Sequence, residues 1–238
     1  MASLEERAGW EIFRPGNEAS HCHRAFGAPQ EELMDSIVQV IESSISARDP
    51  YTVIHQQRVT QISTAIAEEM GLEQKRIGYL QMAARLHDFG KISIPMSILS
   101  KPGTLSVQEM ALLKTHPLTG TEMLKPLNLP NCTFLTIMQH HERVDGTGYP
   151  FGLSGEDILL EARILGVADV VEAISFQRPY KPALGIKKAL QELFHNKGIL
   201  YDPVVVDTFA RLHSAFTWDT SFIPKVSVDN TAFLQRAA

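Results

Sequence analysis

"IGYLQMAARLHDFGK", residues Ile77 to Lys91, is apolar at Ile77, Leu80 and Ala84 and polar at His87, the next position on the same stripe. Steps of three and four residues are the period of an α-helix with one buried face. Gly90 breaks the run. The stretch therefore predicts a helix that carries an imidazole inward, with Asp88 beside it at the helix end, where the two side chains can converge on one point. Buried imidazoles and carboxylates are costly to desolvate unless something pairs with them. The rest of the chain has to supply that partner.

Working outward, the pattern recurs. Upstream, Val59, Ile62, Ile66 and Met70 form a stripe closed by Gly71, and His55 lies four residues before Val59 on the same face. Before that, Leu33, Ile37, Ile41 and Ile45 predict an amphipathic helix over 31–48, ending before Asp49 and Pro50. Downstream, the connection "IPMSILSKPGTL", Ile94 to Leu105, leads to a helix expected to end near His116. A helix from about Asn131 carries Thr133 and Ile137 onto the face of His140, while Phe134 and Met138 lead to His141. Another, from about Leu159 to Ser175, lodges Asp169 among apolar neighbours. Gly198 punctuates the next helix, and Asp202 and Pro203 open the last as N-cap and first helical residue. No stretch alternates with a period of two, so an all-α fold is expected. The organisation follows: a lead over 1–30 without periodicity, the helix of 31–48 as a linker or dimerisation helix, a catalytic unit over 49–216, and a tail over 217–238.

With 238 residues and 44% hydrophobic content the chain has ample material for a core. Two distant cysteines, Cys22 and Cys132, make no disulfide framework. No segment reaches the roughly 18 apolar residues of a membrane span. A cytoplasmic protein in a reducing compartment is the expectation. A net charge of −5 argues against binding duplex nucleic acid by bulk electrostatics.

Of nine histidines, five fall between positions 55 and 141: His55, His87, His116, His140 and His141. Together with Asp88 and Asp169 they exceed what ordinary core hydrogen bonds would satisfy. His55, His87, Asp88 and Asp169 suffice for one divalent ion. His116, His140 and His141 need only an oxygen shared from Asp88 to hold a second. A set of nitrogen and oxygen donors without cysteine suits iron or manganese and disfavours structural zinc. Directly after two of these histidines comes "ERVDGTGYP", Glu142 to Pro150, which reads as a rigid lip with Tyr149 available to stack or hydrogen bond.

The run of "HD" and "GK" (His87, Asp88, Gly90, Lys91), "HP" (His116, Pro117), "HHERVDGTGYP" and "ARILGVADVVEA" resembles the HD-GYP family, metal-dependent phosphodiesterases of bacterial cyclic dinucleotide signalling. The resemblance spans about Asp49 to Leu212. It implies a helical bundle of the HD superfamily with a binuclear metal site in its core: His55, His87, Asp88 and Asp169 on one ion, His116, His140 and His141 on the other, and Asp88 as the bridge. It implies Lys91 as the phosphate-facing cation, and Arg178 and Lys181 of "RPYK" as guanine or phosphate contacts. The implied reaction opens a cyclic dinucleotide, above all cyclic di-GMP, to the linear dinucleotide and on to GMP. The stripe of Leu33, Ile37, Ile41 and Ile45 makes a second copy of the chain an expected partner, beside signalling proteins such as diguanylate cyclases. Two rivals stand beside it, a general nucleotide phosphohydrolase of the HD superfamily and a non-catalytic sensor or partner-binding module.

The chain departs from the family pattern at Ile54, at Glu172 in place of a second Asp, and at "SFQ" (Ser175 to Gln177). These departures are expected to touch the substrate side and to leave the metal ligands intact. Some members hold a third ion with a glutamate four residues before the first histidine. Here that position is Tyr51, a poor ligand at neutral pH, so two ions are expected.

Overall fold

The computed structural model describes residues 28–48, 50–177 and 183–215. Ten α-helices carry them: α1 (Ala28–Arg48), α2 (Pro50–Glu69), α3 (Gln74–Leu86), α4 (Met96–Leu99), α5 (Val107–Leu113), α6 (His116–Leu124), α7 (Asn131–Gln139), α8 (Leu160–Ser175), α9 (Ile186–His195) and α10 (Pro203–Ala215). Among the described residues there is no strand, only the isolated bridges Asp145–Ser154 and Lys197–Tyr201. The all-α expectation holds.

At the centre, α2 lies between α3 and α8. Its stripe of Val59, Ile62 and Ile66 meets Ile77, Leu80 and Ala84 of α3 and Ile164, Leu165 and Ala168 of α8 in one buried cluster. Each such aliphatic side chain contributes roughly 1.5–3 kcal/mol by leaving water. Around this slab, α7 packs on α3, α6 and α8, while α9 and α10 close the far side of α8. Gly71, at φ +74°, ends α2 in the left-handed conformation that favours glycine. The last helix opens as expected, with Asp202 Oδ1 accepting from the backbone N–H of Val204 (2.8 Å) and Val205 (3.2 Å).

Two expectations are corrected. The predicted stripe of α1 is rotated: Met34, Val38 and Ile45 are buried, Ile41 is partly covered, and Leu33 is 61% exposed. The cause is Arg85 of α3, which reaches Glu42 through Nε and Nη2, both 2.8 Å, and Asp35 through Nη1 at 2.5 Å. Glu42 raises the guanidinium pKa, against the effect of burial. Turning both acids toward Arg85 turns Leu33 away. The second correction concerns His116, which opens α6 rather than ending the preceding helix; α5 stops at Leu113, and Pro117 sits in the first turn of α6, where its missing N–H costs nothing.

What brings α6 close is Gly90. After α3 the chain makes a 3₁₀ turn over Phe89–Ser93. A Cβ at Gly90 would lie 2.6 Å from the backbone nitrogen of Gly120 and collide with the His116 carbonyl. Only a glycine lets the turn carrying Asp88 and Lys91 press this tightly against the helix that starts with His116. Residues 1–27, 49, 178–182 and 216–238 lie outside the described residues, and with them the expected tail and the expected lead up to residue 27; residues 28–30, assigned to that lead, open α1.

Candidate metal centre

Five helices deliver seven side chains to one place. His55 comes from α2, His87 and Asp88 from the end of α3, His116 from the start of α6, His140 and His141 from the end of α7, and Asp169 from the middle of α8. Three overlapping groups, His116–His140–His141, His55–His87–Asp169 and His87–Asp88–His140, each hold their donor atoms within 4.8 Å of one another. His55, His87, Asp88, His116 and His140 are all buried.

The hydrogen bonds fix which ring nitrogen is available. His87 Nδ1 is 2.8 Å from the Ala84 carbonyl, His116 Nδ1 is 2.8 Å from that of Leu113, and His140 Nδ1 is 2.6 Å from that of Ile137. A carbonyl only accepts, so each Nδ1 carries the proton and each Nε2 keeps its lone pair. Those Nε2 atoms face each other, His55 and His87 at 3.3 Å and His116 and His140 at 3.4 Å. Lone pairs held so close repel unless a cation lies among them. Asp88 serves both groups: Oδ1 is 3.4 Å from His116 Nε2, buried and without a hydrogen-bond donor, while Oδ2 is 3.6 Å from Nε2 of both His55 and His87. Asp169 Oδ1 adds a third side to His55 at 3.4 Å. The donors present fit a pair of divalent ions.

The electrostatics agree. Burial pushes the pKa of His87, His140 and His141 down, and takes His116 down to about 4, so the rings are neutral and able to donate lone pairs near pH 7. Burial alone would raise Asp88, but the Lys91 ammonium, 2.6 Å from Oδ2, holds it well below the usual range.

One residue of this centre escaped the sequence reading. Glu172 is fully buried, and its Oε2 accepts from His55 Nδ1 at 2.6 Å. It supplies for His55 what the backbone carbonyls supply for the other three rings. Its Oε1 faces the Tyr51 hydroxyl and Arg58 Nη1, each at 3.4 Å, and the Arg58 guanidinium lies 4.2 Å over the Phe176 ring. The departures at Glu172 and Phe176 thus fall behind a metal-facing histidine and not, as expected, on the substrate side. The available signal was the three-residue step from Asp169, which puts both carboxylates on one face of α8.

The lip after His141 is braced from within. Buried Glu142 accepts from the backbone N–H of Phe151 (2.7 Å) and Leu153 (3.0 Å), and burial raises its pKa. Arg143 donates to the His140 and Glu142 carbonyls, and Asp145 accepts from Thr147, which braces the loop. Tyr149 stacks on His141 with centroids 4.7 Å apart and planes at 28°. Burial, with Asp169 and Asp88 nearby, raises its hydroxyl pKa and keeps it neutral. Arg178 and Lys181 lie outside the described residues.

Comparison with known proteins decides the family. The family profile described as HD domain matches residues 39–205. The chain belongs to the HD domain family. Its composite motif is that of the HD-GYP branch. The cyclic di-GMP phosphodiesterase response regulator RpfG of Xanthomonas campestris pv. campestris is 42% identical over 183 residues, 76% of this chain and 48% of that protein. A cyclic di-GMP phosphodiesterase of Thermotoga maritima is 37% identical over 194 residues, 81% of this chain and 53% of its own. The chain thus spans about half the length of these curated relatives. Among solved structures, the cyclic GMP-AMP specific phosphodiesterase V-cGAP3 of V. cholerae superposes with a TM-score of 0.56 at 20% identity, over 76% of this chain and 47% of that one. This likeness speaks for the shared helical fold.

Proposed function

We propose that this chain is a metal-dependent phosphodiesterase that opens a cyclic dinucleotide, cyclic di-GMP, to the linear dinucleotide and then to GMP. The observation that carries the reading is the pair of facing Nε2 atoms on either side of Asp88, with Lys91 on the same carboxylate. In this reading His55, His87, Asp88 and Asp169 hold one ion and His116, His140 and His141 the other, with Asp88 shared. Bound there, the ions supply charge neutralisation and an activated water for attack on phosphorus. The chain supplies the rest. Lys91 offers its ammonium to the non-bridging phosphate oxygens, where charge accumulates in the transition state. Glu172 holds His55 in its metal-facing orientation, and Glu142 keeps the lip, with Tyr149, against the site. Arg178 and Lys181 are assigned to guanine or phosphate.

Iron or manganese suits the all-nitrogen and oxygen donor set. The reading takes two ions rather than three, because the side chain one turn before His55 is Tyr51, a phenol 3.4 Å from Glu172 and a poor ligand for a divalent ion. The likeness to RpfG and the Thermotoga protein, both cyclic di-GMP phosphodiesterases, supports cyclic di-GMP as the substrate. The proposal includes a catalytic unit over 49–216, a cytoplasmic setting, and a homodimer or diguanylate cyclase as partner. No helix among the described residues is long and apolar enough to cross a membrane. The sensor-only alternative fits poorly, because every donor the reaction needs is in place. The test is a panel of cyclic di-GMP, cyclic GMP-AMP and simple nucleotides offered to iron- and manganese-loaded protein. Turnover of the cyclic dinucleotides alone is expected; turnover of simple nucleotides alone, or of nothing, overturns the proposal.

A further inference from the structure

Lys114 caps the end of α5, two residues before His116. Its ammonium lies 5.1 Å from the centroid of the Tyr149 ring, the same ring that stacks on His141. The position is set at both ends of α5. At the start, a capping box pairs Ser106 Oγ with the Glu109 N–H and the Glu109 carboxylate with the Ser106 N–H; at the end, the Lys114 N–H donates to the Met110 carbonyl. The side chain is exposed, and among the described residues it forms no ion pair with a carboxylate. Lys91, Lys101, Lys125 and Lys197 are each paired with an acid; Lys75, over the Tyr79 ring, resembles Lys114, but it is Lys114 that reaches Tyr149 on the lip of the site. An aromatic partner holds a cation in place without cancelling its charge. Lys114 is therefore an unneutralised ammonium, oriented by the lip and beside the metal centre.

We propose that Lys114 binds the second, unreacting phosphate of the cyclic dinucleotide. The inference rests on the substrate reading above. A cyclic dinucleotide carries two phosphodiesters in one ring, so seating one among the metal donors and Lys91 leaves a second negative charge for cations around the site to meet. Lys91 already serves Asp88 and the reacting phosphate. Lys114 has no such commitment, and Tyr149 connects it directly to the ligand set.

The test compares two substrates of the metal-loaded protein: cyclic di-GMP, and bis(p-nitrophenyl) phosphate, a diester with a single phosphate. Lys114→Ala is expected to raise KM for cyclic di-GMP about ten-fold, as loss of one partly exposed charge-assisted contact does, with kcat within about two-fold. KM for the single-phosphate diester should move less than about two-fold, and Lys114→Arg should restore KM for cyclic di-GMP because guanidinium serves both the ring and the phosphate. Equal losses on both substrates, a fall in kcat alone, or no change on either would overturn the assignment. Wild-type protein that cleaves the single-phosphate diester but not cyclic di-GMP would instead overturn the substrate reading, and the Lys114 assignment with it. That outcome is visible before any variant is made.

Discussion

Glu172 shows how one side chain sets the chemistry of another. Its carboxylate accepts from His55 Nδ1 at 2.6 Å and so turns the Nε2 lone pair toward His87. Glu172→Gln keeps the shape and removes the charge, and it is expected to weaken metal binding by roughly 10–100-fold, the usual effect of losing such a partner. A metal titration followed by the absorption of a bound cobalt(II) probe checks this, and unchanged affinity would contradict the orienting role. His116 gives a pH prediction for the metal-free protein. Its pKa falls from 6.5 to about 4 on burial. As pH falls from 6.5 toward 4 the unfolded chain takes up a proton before the folded one does, so acid favours unfolding across that window. The thermal midpoint of the metal-free protein should drop over this range, and a His116→Gln variant should lose part of that slope. His55, His87 and His140 were legible because helical spacing aims them at the core, and Asp88 because it follows His87 where that helix ends. Glu172 and Lys114 were not, since their partners His55 and Tyr149 are distant in sequence and come together only through packing.

At the level of elements, Gly90 joins the turn after α3 to the start of α6. Gly90→Ala would place a methyl group against the His116 carbonyl and the Gly120 nitrogen, forcing the two backbones apart. Overpacking of this kind costs about 1–3 kcal/mol. Denaturant unfolding should register that loss, and metal content should fall with it, because Asp88 moves relative to His116; a variant of wild-type stability would show that the contact is unimportant. The existence of the long helices was plain from their 3.6-residue period. The facing of α1 was not, because Leu33 and Ile37 and, one residue on, Met34 and Val38 offer two apolar stripes, and the choice depends on packing of Met34 and Val38 in the core and on the pairs of Asp35 and Glu42 with Arg85. The boundary at His116 was missed although Pro117 marked a helix start.

Across the whole molecule, the metal centre doubles as a structural joint. Five helices end or cross at the seven donors, and without ions the facing Nε2 atoms of two histidine pairs repel one another inside the core. Binding of ions to the folded state alone stabilises it by mass action. Chelation should therefore lower the thermal midpoint by several degrees and restore it when manganese or iron is returned; a midpoint indifferent to chelator would mean that the donors hold nothing. The central claim, that this centre is a two-metal site built to open a cyclic dinucleotide, is tested most directly on anaerobically prepared protein by measuring metal content and cyclic di-GMP turnover on the same sample. Two iron or manganese ions per chain with conversion of cyclic di-GMP to the linear dinucleotide is the predicted result. A chain that holds two ions and leaves cyclic di-GMP intact would contradict it.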